Sequence, residues 1–307
     1  MFKTIPNGVY PTMLTPFTED NRIDYNAVEQ LLNWYSERNV DGIFAICQSS
    51  EIFYLSFEEK LELIRFIMNH KPKEITVVAS GHTSDNLKTQ IEEAKAYIQT
   101  GIDAYVFISN RFAKEDEDDS IFLRNIEYVA NSLPEISLGI YECPYPYKRL
   151  MKPEILNTLA SMQSSFRFLK DTCCNLDIIK EKLEALKGTQ FKIFNANSAT
   201  LLESLKLGCS GFSGVMANFH PEIYSWICKN FQNEPEKAQR VQDFVGFFSV
   251  AECQMYPVNA KYYLSLDGLD ISYKCRAINA DKFTKNRQME IEQMHNLTKA
   301  YKEKYGF

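Results

Sequence analysis

Phe166-Arg167-Phe168-Leu169-Lys170-Asp171 is a short, mostly apolar run that ends on a lysine. Four to eight residues of this kind read as a strand buried on both faces, the signature of a parallel sheet. An ammonium at the end of such a strand must be desolvated, paired or displaced into a cleft. Desolvation favours the neutral amine, which can attack a carbonyl and form a Schiff base. About thirty residues upstream, Ser137–Glu142 is a second such run, ending in Tyr141-Glu142-Cys143-Pro144. A phenol and an amine at the ends of neighbouring strands could act on one substrate.

Working outward, the same pattern recurs. Strands are expected at Gly8–Leu14, Gly42–Cys47, Ile75–Ser80, Ala104–Ser109, Gln190–Asn195 and Gly211–Met216. Amphipathic helical stretches lie between them: Tyr25–Arg38, Phe57–Asn69, Asn86–Thr100, Ser120–Ser132, Pro153–Met162, Leu176–Leu186 and Ala199–Leu207. Asp24 is a plausible N-cap for the first, and Ser56-Phe57-Glu58-Glu59 resembles a capping box for the second. Eight strands alternating with helices predict an α/β chain folded as a (β/α)8 TIM barrel. The alternative, an open doubly wound sheet, calls for a glycine-rich loop after the first strand. That turn reads Thr15-Pro16-Phe17-Thr18-Glu19-Asp20, without glycine. The barrel is expected over residues 1–226. A C-terminal helical region over 227–307 is expected to pack on it, with helices at Pro235–Val250, Val258–Leu266 and Lys285–Glu303.

Composition narrows the function. The chain has 307 residues, 45% hydrophobic and 24% charged, enough for a large core. A net charge of −6 gives no basic footprint for nucleic acid. The run Glu115-Asp116-Glu117-Asp118-Asp119 reads as a solvated loop leading into a helix start, where negative charge suits the helix dipole. Eight cysteines include no CxxC pair and no zinc spacing, and the four histidines (His70, His82, His220, His295) are scattered, so no metal site is expected. The N-terminal Met1-Phe2-Lys3-Thr4-Ile5-Pro6-Asn7 is too short and polar for a secretory core, and no apolar stretch is long enough to span a membrane. The expectation is a reduced, cytoplasmic protein.

In such a barrel, active residues sit at the C-terminal strand ends. Those ends present Thr15, Cys47-Gln48-Ser49-Ser50-Glu51, Ser80-Gly81-His82, Ser109-Asn110-Arg111-Phe112, Tyr141, Lys170-Asp171-Thr172, Asn195-Ala196-Asn197 and Ser213-Gly214. Hydroxyls, amides, one phenol and one amine dominate. Neither a flanking carboxylate pair for glycoside hydrolysis nor a Ser-His-Asp set is evident.

At this point the chain resembles the dihydrodipicolinate synthase/N-acetylneuraminate lyase family of class I, Schiff-base aldolases. The motifs run from Gly8-Val9-Tyr10-Pro11-Thr12-Met13-Leu14-Thr15-Pro16-Phe17 through Tyr141 and Pro144. They continue in Leu169-Lys170-Asp171-Thr172 and end in Tyr256-Pro257-Val258-Asn259-Ala260-Lys261. The resemblance implies that Lys170 forms an imine with pyruvate or a related 2-oxo acid, and that Tyr141 shuttles protons. It implies no metal or organic cofactor, because the protonated imine is the electron sink. It also implies a homo-oligomer, tetramer or dimer.

The chain departs from the family pattern at several points. Cys47-Gln48-Ser49-Ser50-Glu51 replaces a loop that usually carries two glycines flanking two hydroxyl residues. The resemblance implies that this loop receives the carboxylate of the 2-oxo acid, with Ser49 and Ser50 as the hydroxyl candidates and Gln48 standing at the first hydroxyl position of the substrate-binding set. Phe112 stands where a relay tyrosine is usual, so the relay is truncated or runs through Gln48, Ser49 or water. The arginine that follows the tyrosine aligns near Pro146, with Lys148 and Arg149 close by but out of register. Glu142 replaces a small or amide residue and reads most simply as partner to a nearby base such as Arg149. Arg111, Phe112, Glu142, Asn197 and Ser213 complete the expected substrate-binding set. These changes argue against true dihydrodipicolinate synthase activity. Three functions remain open: an aldolase or lyase with an unassigned second substrate, a dehydratase of a 2-oxo-3-deoxy sugar acid, or a ligand-binding or regulatory protein on the same scaffold.

Overall fold

The computed structural model describes residues 3–162 and 165–307; of the N-terminal stretch, Met1 and Phe2 lie outside them. Eight parallel strands form one sheet: β1 (Gly8–Val9), β2 (Gly42–Phe44), β3 (Thr76–Ala79), β4 (Ala104–Ile108), β5 (Ser137–Tyr141), β6 (Phe166–Asp171), β7 (Lys192–Asn195) and β8 (Gly211–Phe212). Their order around the sheet is β1-β8-β7-β6-β5-β4-β3-β2. A parallel bridge between Thr12 and Phe44 joins the two ends, with Phe44 N–H donating to Pro11 O at 2.9 Å and Met13 N–H to Phe44 O at 3.0 Å. The architecture is the (β/α)8 barrel expected from the alternating pattern.

β1 and β8 are shorter than their apolar runs suggested. Pro11 has no N–H to donate, so the ladder after Val9 is interrupted and resumes only as the Thr12 bridge. At the β1–β8 seam the backbones approach so closely that a Cβ on Gly211 would stand 1.9 Å from Gly8 O. Gly211 also has a φ of +156°, so only glycine suits the position.

Helices α1 (Tyr25–Glu37), α2 (Phe57–His70), α3 (Leu87–Ile98), α4 (Asp119–Asn131), α5 (Pro153–Ser161), α6 (Leu176–Ala185), α7 (Leu201–Leu207) and α8 (Pro221–Asn230) alternate with the strands. The local signals hold. Asp24 accepts from Asn26 and Ala27 N–H, and Ser56 and Glu59 form a reciprocal capping box. Helix α8 was not among the segments read from the sequence, although Pro221 at its first turn with Glu222 behind it is a helix-start signature. It spans residue 226, the position at which the barrel was expected to close.

Three further helices follow: α9 (Pro235–Phe248), α10 (Val258–Leu266) and α11 (Lys285–Tyr305). Gln242 of α9 accepts from Leu202 N–H at 2.9 Å and donates to Ser198 O at 2.9 Å. Asp267, after α10, takes Trp34 Nε1–H at 2.7 Å and the Arg38 guanidinium at 2.5 Å. These contacts lay the tail against the first and seventh strand–helix units, and α9 also packs on α8.

Candidate active site

Tyr141 and Lys170 are paired in register at the C-terminal ends of β5 and β6. Side chains alternate along a strand, so these two point into the barrel while the following residues, Glu142 and Asp171, point to the helix layer. Both Tyr141 and Lys170 are 5% exposed. Lys170 Nζ lies 4.4 Å from the centre of the Tyr141 ring and 5.3 Å from that of Phe44. Burial pushes the Lys170 ammonium down from 10.5 to about 8, against a weaker upward pull from the Cys47 and Cys143 thiols. The amine is thus neutral in roughly a tenth of molecules at pH 7, against a few in ten thousand for a free lysine.

The Tyr141 hydroxyl donates to Gln48 Oε1 at 3.3 Å. Burial first, then the Cys143 and Cys47 thiols, push its pKa well above the usual 10. It therefore remains protonated and able to donate. The Cys143 thiol also donates to Gln48 Oε1, at 3.6 Å. The hydrogen-bond partner of the Tyr141 hydroxyl is thus the Gln48 carboxamide at the end of β2, not a group at position 112. An amide orients a phenol but does not itself carry protons.

A cavity of about 490 Å³ opens above this pair. Lys170, Tyr141, Gln48, Ser49 and Asn197 line it. Ser49 lies beside the Tyr256 hydroxyl, which also accepts from Asn218 Nδ2 at 2.9 Å. Asn197 caps the following turn by accepting from Thr200 N–H at 3.1 Å.

The other expected residues lie outside its wall. Ser50 is fully buried, its hydroxyl shared between Met13 O at 2.7 Å and Ala45 O at 2.8 Å while accepting from Cys47 N–H at 3.1 Å. Ser213 donates to Tyr10 O at 2.9 Å. Phe112 is packed against Phe107, His82 and Phe122. Arg111 pairs with Asp85 at 3.0 Å and lies over the Phe53 ring at 5.1 Å, so that ring, not the guanidinium, forms the wall.

Glu142 does not pair with Arg149. Arg149 is taken by Asp119 at 2.9 Å and by the carbonyls of Lys114 and Glu117. Glu142 faces the helix layer, where Lys182 of α6 reaches it at 2.7 Å and Asp171 at 2.5 Å, with all three side chains fully buried. Glu142 also accepts from Met151 and Thr172 N–H, at 2.7 and 2.8 Å. Burial, and then the neighbouring Asp171, raise its pKa to about 7, against the opposing pull of Lys182. The group ties the ends of β5 and β6 together directly behind Tyr141 and Lys170. Sequence reasoning missed Lys182. The available signal was its helical spacing from Ile179 and Leu186, which places a lysine on a buried stripe.

A second buried pair holds the loop after β2. Glu51, at φ 60°, accepts from Lys261 Nζ of α10 at 2.9 Å and from Arg276 and Ala277 N–H at 2.6 and 2.7 Å. It locks the Gln48–Ser49 turn to the C-terminal region, which brings Tyr256 and Ile278 to the cavity. On the opposite side, Asn110 Nδ2 pins the loop after β5 through the carbonyls of Cys143, Tyr145 and Tyr147, at 2.9, 2.9 and 2.5 Å. Among the described residues no cluster of three or more metal-ligating side chains occurs, and no helix is long and apolar enough to cross a membrane.

Comparison with known proteins shows the family and the fold. The model of the dihydrodipicolinate synthetase family matches residues 5–298. An uncharacterised DapA-like lyase of Pyrococcus furiosus is 31% identical over 80% of this chain and 82% of its own length. The 4-hydroxy-tetrahydrodipicolinate synthase of Haloarcula marismortui is 25% identical over 85% of this chain and 84% of its own. The putative 2-dehydro-3-deoxy-D-gluconate aldolase YagE of Escherichia coli is 27% identical over 70% and 71%. The crystal structure of YagE in complex with pyruvate superposes with a TM-score of 0.87, covering 95% of this chain and 98% of that one at 21% identity. The chain belongs to the dihydrodipicolinate synthetase family, and it is a class I aldolase or lyase.

Proposed function

We propose that Lys170 forms a Schiff base with pyruvate or a closely related 2-oxo acid, and that the derived enamine makes or breaks a carbon–carbon bond. The observation that carries this reading is the amine itself. Lys170 is buried, has a pKa lowered to about 8, and lies against the Tyr141 ring at the floor of a cavity. The neutral amine attacks the ketone carbon and the carbinolamine loses water. The protonated imine then draws electrons from the adjacent carbon, whose proton passes to the Tyr141 phenolate left by the loss of water, giving the enamine and restoring the phenol. Tyr141, held protonated, donates to the departing hydroxyl and later to the oxygen of the aldehyde; such help contributes roughly 10²–10⁴-fold. Ser49, with the amides of its turn, receives the carboxylate. The protein needs no metal or organic cofactor for these steps, since the imine is the electron sink.

The same residues argue against a true dihydrodipicolinate synthase. Phe112, Arg111 and Arg149 are all committed to packing or to ion pairs and offer the cavity neither a relay phenol nor an anion clamp. The proposal also includes a cytoplasmic location, supported by eight free cysteines, and a homo-oligomeric assembly to be measured by light scattering.

The test is reduction of the protein with borohydride in the presence of pyruvate, followed by intact and peptide mass analysis. A single reduced-imine adduct on Lys170, absent from Lys170→Ala, is expected. No adduct with pyruvate or a panel of 2-oxo acids removes the proposal. Product masses separate carbon–carbon cleavage from the loss of water that a dehydratase would give.

A further inference from the structure

The floor of the cavity is polar, whereas its walls are mostly apolar. Beyond the strand ends, Phe53, Tyr54, Tyr145, Val215 and Ile278 supply the surface that a second substrate would meet. Phe53 and Tyr145 pack on each other at 4.9 Å between ring centres, and Tyr54 and Tyr145 remain about half exposed at the mouth. At about 490 Å³ the space is far larger than pyruvate alone fills and lies in the range, roughly 300–1,000 Å³, of sites that enclose a larger organic ligand.

The charges in the wall discriminate among second substrates. Among the described residues no arginine lines the cavity. Lys148 does, but it is exposed and donates to Thr172 O at 3.0 Å, so it offers an anion only a weak, solvated contact. Of the two carboxylates in the wall, Glu51 is neutralised by Lys261. Glu252, from the turn after α9, is half-buried with no ion pair or hydrogen bond to a described residue, and desolvation alone raises its pKa. An acidic second substrate would meet a partly desolvated like charge, and a polyol would find hydrogen-bond partners at Gln48, Ser49, Thr172 and Asn197 but mainly ring and aliphatic faces over the outer wall.

We propose that the second substrate is an aryl aldehyde carrying no negative charge, held by the aromatic wall and screened by Glu252. The proposal rests on the Schiff-base reading above. In the step it implies, the carbon of the pyruvate enamine that lost its proton attacks the aldehyde carbon. One carbon–carbon bond forms, the aldehyde oxygen takes a proton, and water hydrolyses the imine. The released product is an aryl-substituted hydroxy-oxo acid, and Lys170 returns as the free amine. The reverse reaction cleaves the same bond.

The experiment measures kcat/KM of the full chain with pyruvate and each of four aldehydes: benzaldehyde, its para-carboxy derivative, glyceraldehyde and succinic semialdehyde. Wild type is expected to favour benzaldehyde over the para-carboxy compound by about tenfold or more, the cost of roughly 1.4 kcal/mol of like-charge repulsion. Glu252→Gln is expected to reduce that preference to about threefold or less, and Glu252→Arg to reverse it. Glyceraldehyde or succinic semialdehyde as the best substrate overturns the proposal, as does the absence of turnover with any of the four. So does a para-carboxy preference in wild type, which would make Lys148 an anion clamp. Borohydride trapping of pyruvate on the same samples separates the two levels. An adduct with the wrong aldehyde preference removes only the aryl assignment, and no adduct removes the Schiff-base reading beneath it.

Discussion

Tyr141 and Lys170 are register partners on adjacent parallel strands, and the amine of one lies 4.4 Å from the ring centre of the other. This arrangement removes the ammonium from water without giving it a carboxylate. The nearest carboxylates in sequence, Glu142 and Asp171, face the other side of the sheet and are occupied by Lys182. Strand alternation thus keeps the unpaired Lys170 apart from the buried Lys182–Glu142–Asp171 group, although Asp171 is the very next residue.

The lowered pKa predicts how trapping depends on pH. The rate of imine formation with pyruvate should rise as pH climbs towards about 8 and level off above it, as the neutral amine becomes the dominant form. Borohydride trapping rates over a pH series check this. A rise that continues to beyond pH 10 would mean that Lys170 titrates as an ordinary lysine.

The same burial should cost stability. Between about 8 and 10.5 the unfolded chain holds the Lys170 proton and the folded chain does not, so this site's contribution rises with pH across that window. Below about 8 the whole penalty stands. Lys170→Met should therefore stabilise the fold at pH 7 by up to about 3 kcal/mol while abolishing trapping. Denaturant midpoints of the two proteins should differ at pH 7 and converge towards pH 10.

Tyr141→Phe keeps the ring that covers Lys170 and removes one long hydrogen bond to Gln48. Turnover should fall by roughly 10²–10⁴-fold with a change in stability below about 1 kcal/mol. Steady-state kinetics and a thermal melt on the same preparation test both halves. Equal losses of activity and stability would make the hydroxyl structural.

Lys182→Met should leave two fully buried carboxylates without their cation and destabilise by about 3–5 kcal/mol. The loss should be greatest above pH 7. Glu142, already raised to about 7, binds its proton more readily when folded than unfolded, so acidification relieves the repulsion. Denaturant titrations at pH 5.5 and 8 should show the variant recovering at the lower pH. A deficit independent of pH would mean that packing, not charge, holds this group together.

Much of the architecture was legible in the chain before folding. Uninterrupted apolar runs such as Ala104–Ile108, short and bounded by turns, read as strands covered on both faces, and Asp24 and Ser56 mark their helices by local hydrogen bonds. These signals lie within a few residues of one another. The pairing of Tyr141 with Lys170 was legible for the same reason, since both lie at the ends of such runs. The partner of Glu142 was not. The sequence neighbour Arg149 points to Asp119, whereas Lys182, forty residues away, becomes adjacent only when α6 packs over β5 and β6.

By itself the sequence determined the strand–helix alternation, the barrel it closes into, and the lysine and tyrosine at its rim, because periodicity and chain order are local properties. The tertiary structure decided which polar residues face the cavity. Ser50, Arg111, Phe112, Glu142 and Ser213 all lie near strand ends, yet each is turned away by a backbone acceptor, an ion pair or a packed ring contributed from elsewhere in the chain. It also decided the walls. Glu252 and Ile278 reach the cavity from beyond the eighth strand because the buried Glu51–Lys261 pair holds the C-terminal region against the β2 loop. Contacts between residues some two hundred positions apart exist only once the chain has closed around them.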